Sequence, residues 1–126
     1  MHWFSVGVAL LASVGIIVLG LMYLFNPGGA THSFGLPLPE AGANIAWWLR
    51  LKGVRDIVTG LIVLALLMWG DPRLLGIVFL IAAITPVGDM SLVLAAKGSR
   101  TAAFGIHGVT AALMILAAIP LIAGVA

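Results

Sequence analysis

The sequence lacks cysteine and has few charged residues. Its 126 residues include no Cys, six Lys or Arg and four Asp or Glu. The absence of cysteine excludes disulfides, thiolate catalysis and iron–sulfur ligation. So few charges cannot cover the surface of a soluble domain of this length, and they form no basic face that would bind nucleic acid. The composition therefore favours a protein whose main solvent is lipid.

In place of charge, the sequence has four long apolar stretches. Hydrophobic residues make up 63% of the chain, and a helix needs about 20 predominantly apolar residues to span a membrane. The stretches that reach this length are Trp3–Phe25, Ile45–Trp69, Arg73–Ala96 and Thr101–Val125. We therefore predict an all-α fold, with residues 1–126 forming a single transmembrane domain that is an up-down bundle of four helices.

The basic residues predict how the bundle is oriented. Side A is defined as the side that holds the first and third connections, with Arg50, Lys52, Lys97 and Arg100 at or near its boundary. Side B holds both termini and only Arg73. Because basic residues favour the cytoplasmic side, we expect side A to face the cytoplasm of an inner or plasma membrane. Both termini are then non-cytoplasmic.

The two halves of the sequence resemble each other. Residues Gly53–Ala65 align without a gap against Gly105–Ala117, with Arg55 opposite His107. The first and third stretches match more weakly. Since both pairs run in the same direction, the pattern predicts a parallel two-helix repeat about an axis along the membrane normal.

Four ionisable residues fall at similar depth below side A. At about 1.5 Å per residue, Arg55 and Asp56 lie roughly 15 Å deep, Asp89 about 10 Å and His107 about 9 Å. An Asp or Arg that faces lipid costs roughly 2.5–3.5 kcal/mol on insertion scales. We therefore expect these four side chains to face the interior and to lie together. Pro86 removes a backbone donor one turn before Asp89, which predicts a kink there.

This inventory is that of a proton-transfer site. Arg55 would neutralise one carboxylate, while the other would need a proton or a protonated His107. We assign Asp89, His107 and Asp56 as candidate catalytic residues. The candidate ligand-binding residues are Arg55, Thr59, Thr85 and Trp48. No metal site and no cofactor are predicted.

The leading interpretation is a buried Arg/Asp/Asp/His site, open toward side A, that binds a small lipophilic or amphipathic molecule. If the site is catalytic, acid–base chemistry of the isomerase, cyclase or hydratase/hydrolase type is expected. One alternative is a proton-coupled transporter of small molecules. Another is a structural or accessory membrane subunit whose charges only lock the helices together. The expected partners are the lipid bilayer and the small molecule, with homo-oligomers allowed and nucleic acid excluded.

Several motifs resemble those of a known family. They are Phe34-Gly35-Leu36-Pro37, Gly53-Val54-Arg55-Asp56, Gly70-Asp71-Pro72-Arg73, Pro86-Val87-Gly88-Asp89 and the final His107. Together they resemble DUF4267, a family of small four-helix membrane proteins described only as a domain of unknown function, with an architecture similar to the DoxX group. The resemblance implies a four-helix membrane fold and no activity. Some DoxX proteins are quinone-linked oxidoreductase subunits, but no redox residues here support that role.

Overall fold

The chain is helical throughout the part that the structure describes. The computed structural model covers residues 3–37 and 43–124, and no strand occurs among them. The prediction of an all-α fold is therefore confirmed. The helices are α1 Trp3–Phe25, α2 Pro27–Ala30, α3 Ala43–Trp69, α4 Pro72–Ala82, α5 Ile84–Ala95, α6 Arg100–Ala102 and α7 Val109–Ala123, with a 3₁₀ turn at Thr31–Ser33 and a π-helical segment at Ala103–Gly108.

Three helical stretches are long and apolar enough to cross a membrane, which indicates an integral membrane protein. These stretches are Trp3–Phe25, Pro72–Ala95 and Arg100–Ala123. Helix α3 is 27 residues long, but its first half carries four charged residues. Helix α3 is therefore not one of the three stretches that are long and apolar enough to cross a membrane.

Polar side chains cap the first turns of α4 and α6. The carboxylate of Asp71 accepts a hydrogen bond of 2.7 Å from the backbone N–H of Arg73, at the start of α4. The hydroxyl of Ser99 accepts one of 3.1 Å from the backbone N–H of Ala102, at the start of α6. Both residues satisfy helix N–H groups that have no partner within the helix. Helix α7 ends at Gly124, whose φ of 73° closes it.

The third and fourth expected helices are each interrupted. Ala83 separates α4 from α5, less than one turn before Pro86. Because Pro86 has no N–H, it cannot bond the carbonyl of Ala82, four residues earlier. The fourth stretch begins as α6 and widens into the π-helical segment before α7. Val125, where that stretch was expected to end, lies outside the described residues.

Glycine allows α1 and α3 to approach closely. The two helices pack extensively against each other. A Cβ on Gly53 would lie 2.5 Å from the carbonyl oxygen of Gly20, and one on Gly60 would lie 2.7 Å from that of Ser13. Backbone therefore touches backbone along this interface, as is common where lipid supplies no hydrophobic driving force between helices.

The apolar core lies between α4 and α7, with α1 covering it. Helix α4 packs on α7, and α1 also contacts α7. Leu75 and Phe79 of α4 are fully buried beside Leu121 of α7. The buried hydroxyl of Ser5 donates a 2.9 Å hydrogen bond to the carbonyl of Ala117, which ties α1 to α7. Helix α5 packs on the π-helical segment, so residues on these two elements lie side by side.

The α1–α3 interface predicts a large effect of one added methyl group. In Gly53→Ala the Cβ would overlap backbone atoms, so the helices must separate, and the free energy of unfolding should fall by about 1–3 kcal/mol. Gly15→Ala is the control, because nothing lies within 4 Å of its Cβ position. It should be neutral or stabilise by up to about 1 kcal/mol. Unfolding followed by circular dichroism in detergent measures both, and equal shifts would contradict the packing described.

Candidate functional site

Asp89 and His107 lie next to each other near side A. His107, on the π-helical segment, is 7% exposed, and Asp89 is half-buried on α5. The Nδ1 atom of His107 lies 4.0 Å from Oδ2 of Asp89. The packing of α5 on the π-helical segment produces this juxtaposition. The two groups are close enough for a strong electrostatic interaction, although the distance is too long for a hydrogen bond.

The other ring nitrogen of His107 is held by the connection that follows α1. Its Nε2 lies 2.8 Å from the carbonyl oxygen of Phe34, and the two rings are in contact with centroids 4.5 Å apart. A carbonyl oxygen can only accept, so Nε2 must carry the proton in this hydrogen bond. The neutral form of His107 therefore has an unprotonated Nδ1, which faces Asp89.

Lys52 reaches inward to pair with Asp56. Its ammonium lies 2.7 Å from Oδ2 of Asp56, one turn away on α3, with the Lys and Asp side chains 38% and 16% exposed. The same ammonium lies 4.2 Å from the ring centroid of Tyr23 and 5.4 Å from that of Phe34. These contacts are cation–π interactions, which are stronger where water is excluded. Two rings and a carboxylate thus hold the partly exposed ammonium of Lys52 against the bundle.

The two pairs belong to one polar cluster. Lys52, Asp56 and His107 all lie close enough to the carboxyl group of Asp89 to act on it electrostatically. Asp56 and Asp89 likewise act on the hydroxyl of Tyr23, which is buried on α1. We use the term polar cluster for Tyr23, Phe34, Lys52, Asp56, Asp89 and His107. It joins α1, α3, α5 and the π-helical segment beneath the first connection.

The connection after α1 is docked onto the turn between α5 and α6. The carbonyl of Gly35 accepts a 2.8 Å hydrogen bond from the backbone N–H of Ser99. Gly35 has a φ of 101°, which favours glycine. A Cβ there would also meet the side chain of Ala102. This contact positions the neighbouring Phe34 against the ring of His107.

Arg55 does not join the polar cluster. It is exposed, and among the described residues the ion pairs within 4.0 Å are Lys52–Asp56 and Asp89–His107. The expectation that Arg55 faces inward and neutralises a carboxylate was therefore wrong, because Lys52 takes that place. Arg55 lies two residues, or about 200°, from Gly53, which packs against α1.

The three other candidate ligand-binding residues also lie outside the polar cluster. Thr59 and Thr85 are exposed, and Trp48 is 71% exposed. The hydroxyl of Thr59 donates to the carbonyl of Arg55 at 2.9 Å, within its own helix. No hydrogen bond among the described residues links these three side chains to Asp89 or His107, and any role in binding requires a ligand that extends beyond the polar cluster.

A lateral groove opens between α3 and α4. It is lined by six residues, which are Thr59, Ile62 and Val63 of α3 and Val78, Ile81 and Ala82 of α4, and its volume is about 170 Å³. Val63 is buried, whereas Ile62 and Ile81 are exposed on either side. The groove is therefore a shallow apolar slot on the surface of the bundle, with Thr59 at its end nearer side A.

Sequence reasoning missed Lys52, Tyr23 and Phe34 as members of the site. Lys52 resembled a side chain that extends to the head groups, and Tyr23 an interfacial aromatic residue. One available signal was the spacing of Lys52 and Asp56, since residues four apart on a helix can pair. The positioning of Phe34 had no such signal, because it depends on the fold of a connection.

Comparison with known proteins identifies one family. The profile of a family described as a domain of unknown function (DUF4267) matches residues 13–121. No curated protein and no solved structure matches the chain. The matched range includes every member of the polar cluster and every residue that lines the lateral groove.

Removal of Lys52 should destabilise the fold through Asp56. In Lys52→Met the half-buried carboxylate loses its partner, so the free energy of unfolding should fall by about 1–3 kcal/mol. The double variant Lys52→Met/Asp56→Leu should recover at least half of this loss, because an apolar pair can replace a buried ion pair. Lys97→Met, at an exposed lysine, is the control and should change the free energy of unfolding by less than about 0.5 kcal/mol. Thermal unfolding in detergent measures all three, and a single variant as stable as the control would contradict the pairing.

Proposed function

The chain belongs to the DUF4267 family, and because the function of that family is unknown, we propose one from the geometry of the site. The protein is a bundle of four transmembrane helices in which the polar cluster binds a small lipophilic or amphipathic molecule and exchanges a proton with it. The reaction class is acid–base chemistry, such as isomerisation, cyclisation or hydration.

The length of α3 supports a fourth membrane span. Its 27 residues extend about 40 Å, more than the roughly 30 Å of hydrocarbon in a bilayer. The short connection between α3 and α4 favours an antiparallel arrangement of the two. Exposed Trp69 at one end of α3 and Trp47 at the other match the two interfaces. The basic residues near Trp47 favour a cytoplasmic side A.

The arrangement of helices also favours the two-helix repeat. Helices α1 and α3 pack together, as do α4 and α7, and each pair is a hairpin along the chain. The repeat does not extend to side-chain orientation, however. Arg55 is exposed while His107, its counterpart in the second half, is buried. The second half thus carries the proton-exchanging histidine.

The observation that carries the proposal is the pair of acceptors at His107 and Asp89. Because Nε2 donates to the carbonyl of Phe34, the neutral ring presents a lone pair at Nδ1, 4.0 Å from the carboxylate of Asp89. The lone pair and the carboxylate face each other across a distance too long for a direct hydrogen bond, and a proton on either group removes their repulsion. The pair therefore holds one exchangeable proton, on either Nδ1 or the carboxyl group.

The charges of the polar cluster balance when that proton is present. Lys52 neutralises Asp56, and the proton neutralises Asp89 and His107 as a pair. Such neutrality is favourable where hydrocarbon is the solvent. Asp89 and His107 are then the catalytic pair that gives a proton to the bound molecule and takes one back. Asp56, held by Lys52, is a positioning residue.

Binding is favoured over transport by what lies deeper in the bundle. The buried core of α4 and α7 contains Leu75, Phe79, Met114 and Leu121. A proton-coupled transporter needs polar groups that continue toward side B, and among the described residues the buried polar ones in that direction are two serines of α1, Ser5 and Ser13. A site open toward side A fits this distribution better than a pathway through the protein does.

Nitrogen NMR of labelled histidine tests whether the proton is shared. We expect Nδ1 of His107 to give a signal shifted toward the protonated form in the wild-type protein near neutral pH. In Asp89→Asn, the amide can donate to Nδ1, so the signal should move to that of an unprotonated acceptor. The background variant His2→Gln/His32→Gln isolates the signal, and Asp71→Asn on side B is the control. An unchanged signal in Asp89→Asn would reject the shared proton.

Extraction of the purified protein tests binding of a lipophilic molecule. Protein in lipid nanodiscs is extracted with organic solvent, and the extract is analysed by mass spectrometry. We expect a compound enriched over protein-free nanodiscs, and reduced at least tenfold in Asp89→Asn and His107→Gln but not in Asp71→Asn. Thermal unfolding confirms that each variant is folded. Identical extracts from all folded variants would contradict a binding role for the pair and favour an accessory subunit.

A further inference from the structure

The lateral groove has the size of one hydrocarbon chain. Its volume is about 170 Å³, and an engineered apolar cavity of about 150 Å³ binds a single benzene molecule. The groove can therefore hold a segment of one alkyl chain, and two acyl chains side by side would exceed it. Its exposed flanks, Ile62 and Ile81, leave it open to the lipid.

Arg55 lies on the face of α3 that lines this groove. Positions 55, 59 and 62 are spaced by four and three residues, so they form one stripe along the helix. Thr59 and Ile62 line the groove, and the Thr59 hydroxyl bonds the carbonyl of Arg55. The Cα of Arg55 is thus about 6 Å from that of Thr59 along the axis, toward side A. Its side chain leans further in that direction.

Asp89 lies further toward side A than the groove residues of α4, on α5 beyond the interruption at Ala83. Val78 and Ala82 line the groove from α4, and Asp89 follows Ala82 by seven residues, which is close to two helical turns. A molecule with its chain in the groove therefore carries its head group toward both Arg55 and the Asp89–His107 pair. The lateral groove thus leads from α4 toward the side on which the polar cluster lies.

The charges around this site determine which head group fits. Both carboxylates are neutralised, Asp56 by Lys52 and Asp89 by the proton that it shares with His107. The guanidinium of Arg55 is left without an ion-pair partner within 4.0 Å among the described residues. Guanidinium binds carboxylate and phosphate oxygens through two parallel hydrogen bonds. A cationic head group would be repelled at the same point.

We propose that the lateral groove binds the alkyl chain of a single-chain anionic amphiphile of the fatty-acid type, whose carboxylate is held by Arg55. The inference rests on the proposed function and names the class of molecule that the polar cluster acts on. The anionic end enters first along side A, and the carbons nearest the head group then lie beside Asp89 and His107.

Photolabelling with a fatty acid that carries a diazirine in its chain tests this inference. With the protein in nanodiscs of zwitterionic lipid, we expect labelled peptides from 59–63 and 78–82. Unlabelled fatty acid should compete at least tenfold better than the fatty alcohol or fatty amine of equal length. Labelling should fall at least tenfold in Arg55→Gln, which removes the charge, and in Thr59→Phe, which fills the groove.

Matched controls are present in the chain. Arg100→Gln removes another exposed arginine near side A, and Thr110→Phe enlarges an exposed threonine that, like Thr59, bonds its own helix backbone. Both should label as the wild type does. Equal competition by the amine, equal labelling of other lipid-facing helices, or full labelling of Arg55→Gln would overturn the inference. Equal competition by an anionic two-chain phospholipid would also overturn it, in favour of a bilayer lipid.

Different experimental outcomes would reject the proposed function and the inference of an anionic amphiphile. Loss of labelling in Arg55→Gln, with an unchanged histidine signal in Asp89→Asn, would retain the amphiphile site and reject proton sharing. Full labelling in Arg55→Gln, with an extracted compound that is lost in His107→Gln, would reject the anionic amphiphile and retain the binding function. Labelling in Asp71→Asn should remain within about twofold of the wild type, because Asp71 caps the start of α4 on side B, away from Arg55 and the polar cluster.

Discussion

The hydrogen bond between His107 and the carbonyl of Phe34 is the interaction on which the site depends. A buried imidazole in a protein solvated by hydrocarbon must find its hydrogen-bond partner within the chain. Nε2 donates a 2.8 Å hydrogen bond to the carbonyl of Phe34, and this bond orients Nδ1 toward Asp89. One ring therefore joins the first connection, the π-helical segment and α5. It also determines which nitrogen can exchange a proton.

Close packing of α1 and α3 explains why a lysine completes the site from the other side. The contact of Gly53 with Gly20 brings the start of α3 against Tyr23, so the Lys52 stem runs along an aromatic surface. Its compact ammonium can turn inward to Asp56, whereas the broad guanidinium of Arg55 remains on the outer surface. Two basic residues three positions apart thus serve different purposes, one within the polar cluster and one beside the lateral groove.

Much of this arrangement was predictable from the sequence, and the failures have physical causes. Hydropathy located the helices, and depth placed Asp89 and His107 together. The rotation of α3 was also within reach, because Gly53 and Gly60 define the face that meets α1 and Arg55 lies about 200° from Gly53. The π-helical segment was not predictable, since counting at 3.6 residues per turn assumes a regular helix through Gly105. It is exposed, with nothing within 4 Å of its Cβ position.

The separation of charge between the inside and the outer surface suggests an order of events. Inside, Asp56 is paired with Lys52, and in the proposed function Asp89 and His107 hold one proton, so the polar cluster can rest in a low-dielectric interior. Outside, Arg55 has no ion-pair partner within 4.0 Å among the described residues, and its field extends along side A, where a charged head group would arrive. An anion bound there would complete the neutralisation of the whole site. It would also bring the reactive carbons to the one proton that the interior can release. In the proposed function, binding at the surface would therefore precede proton exchange at Asp89 and His107.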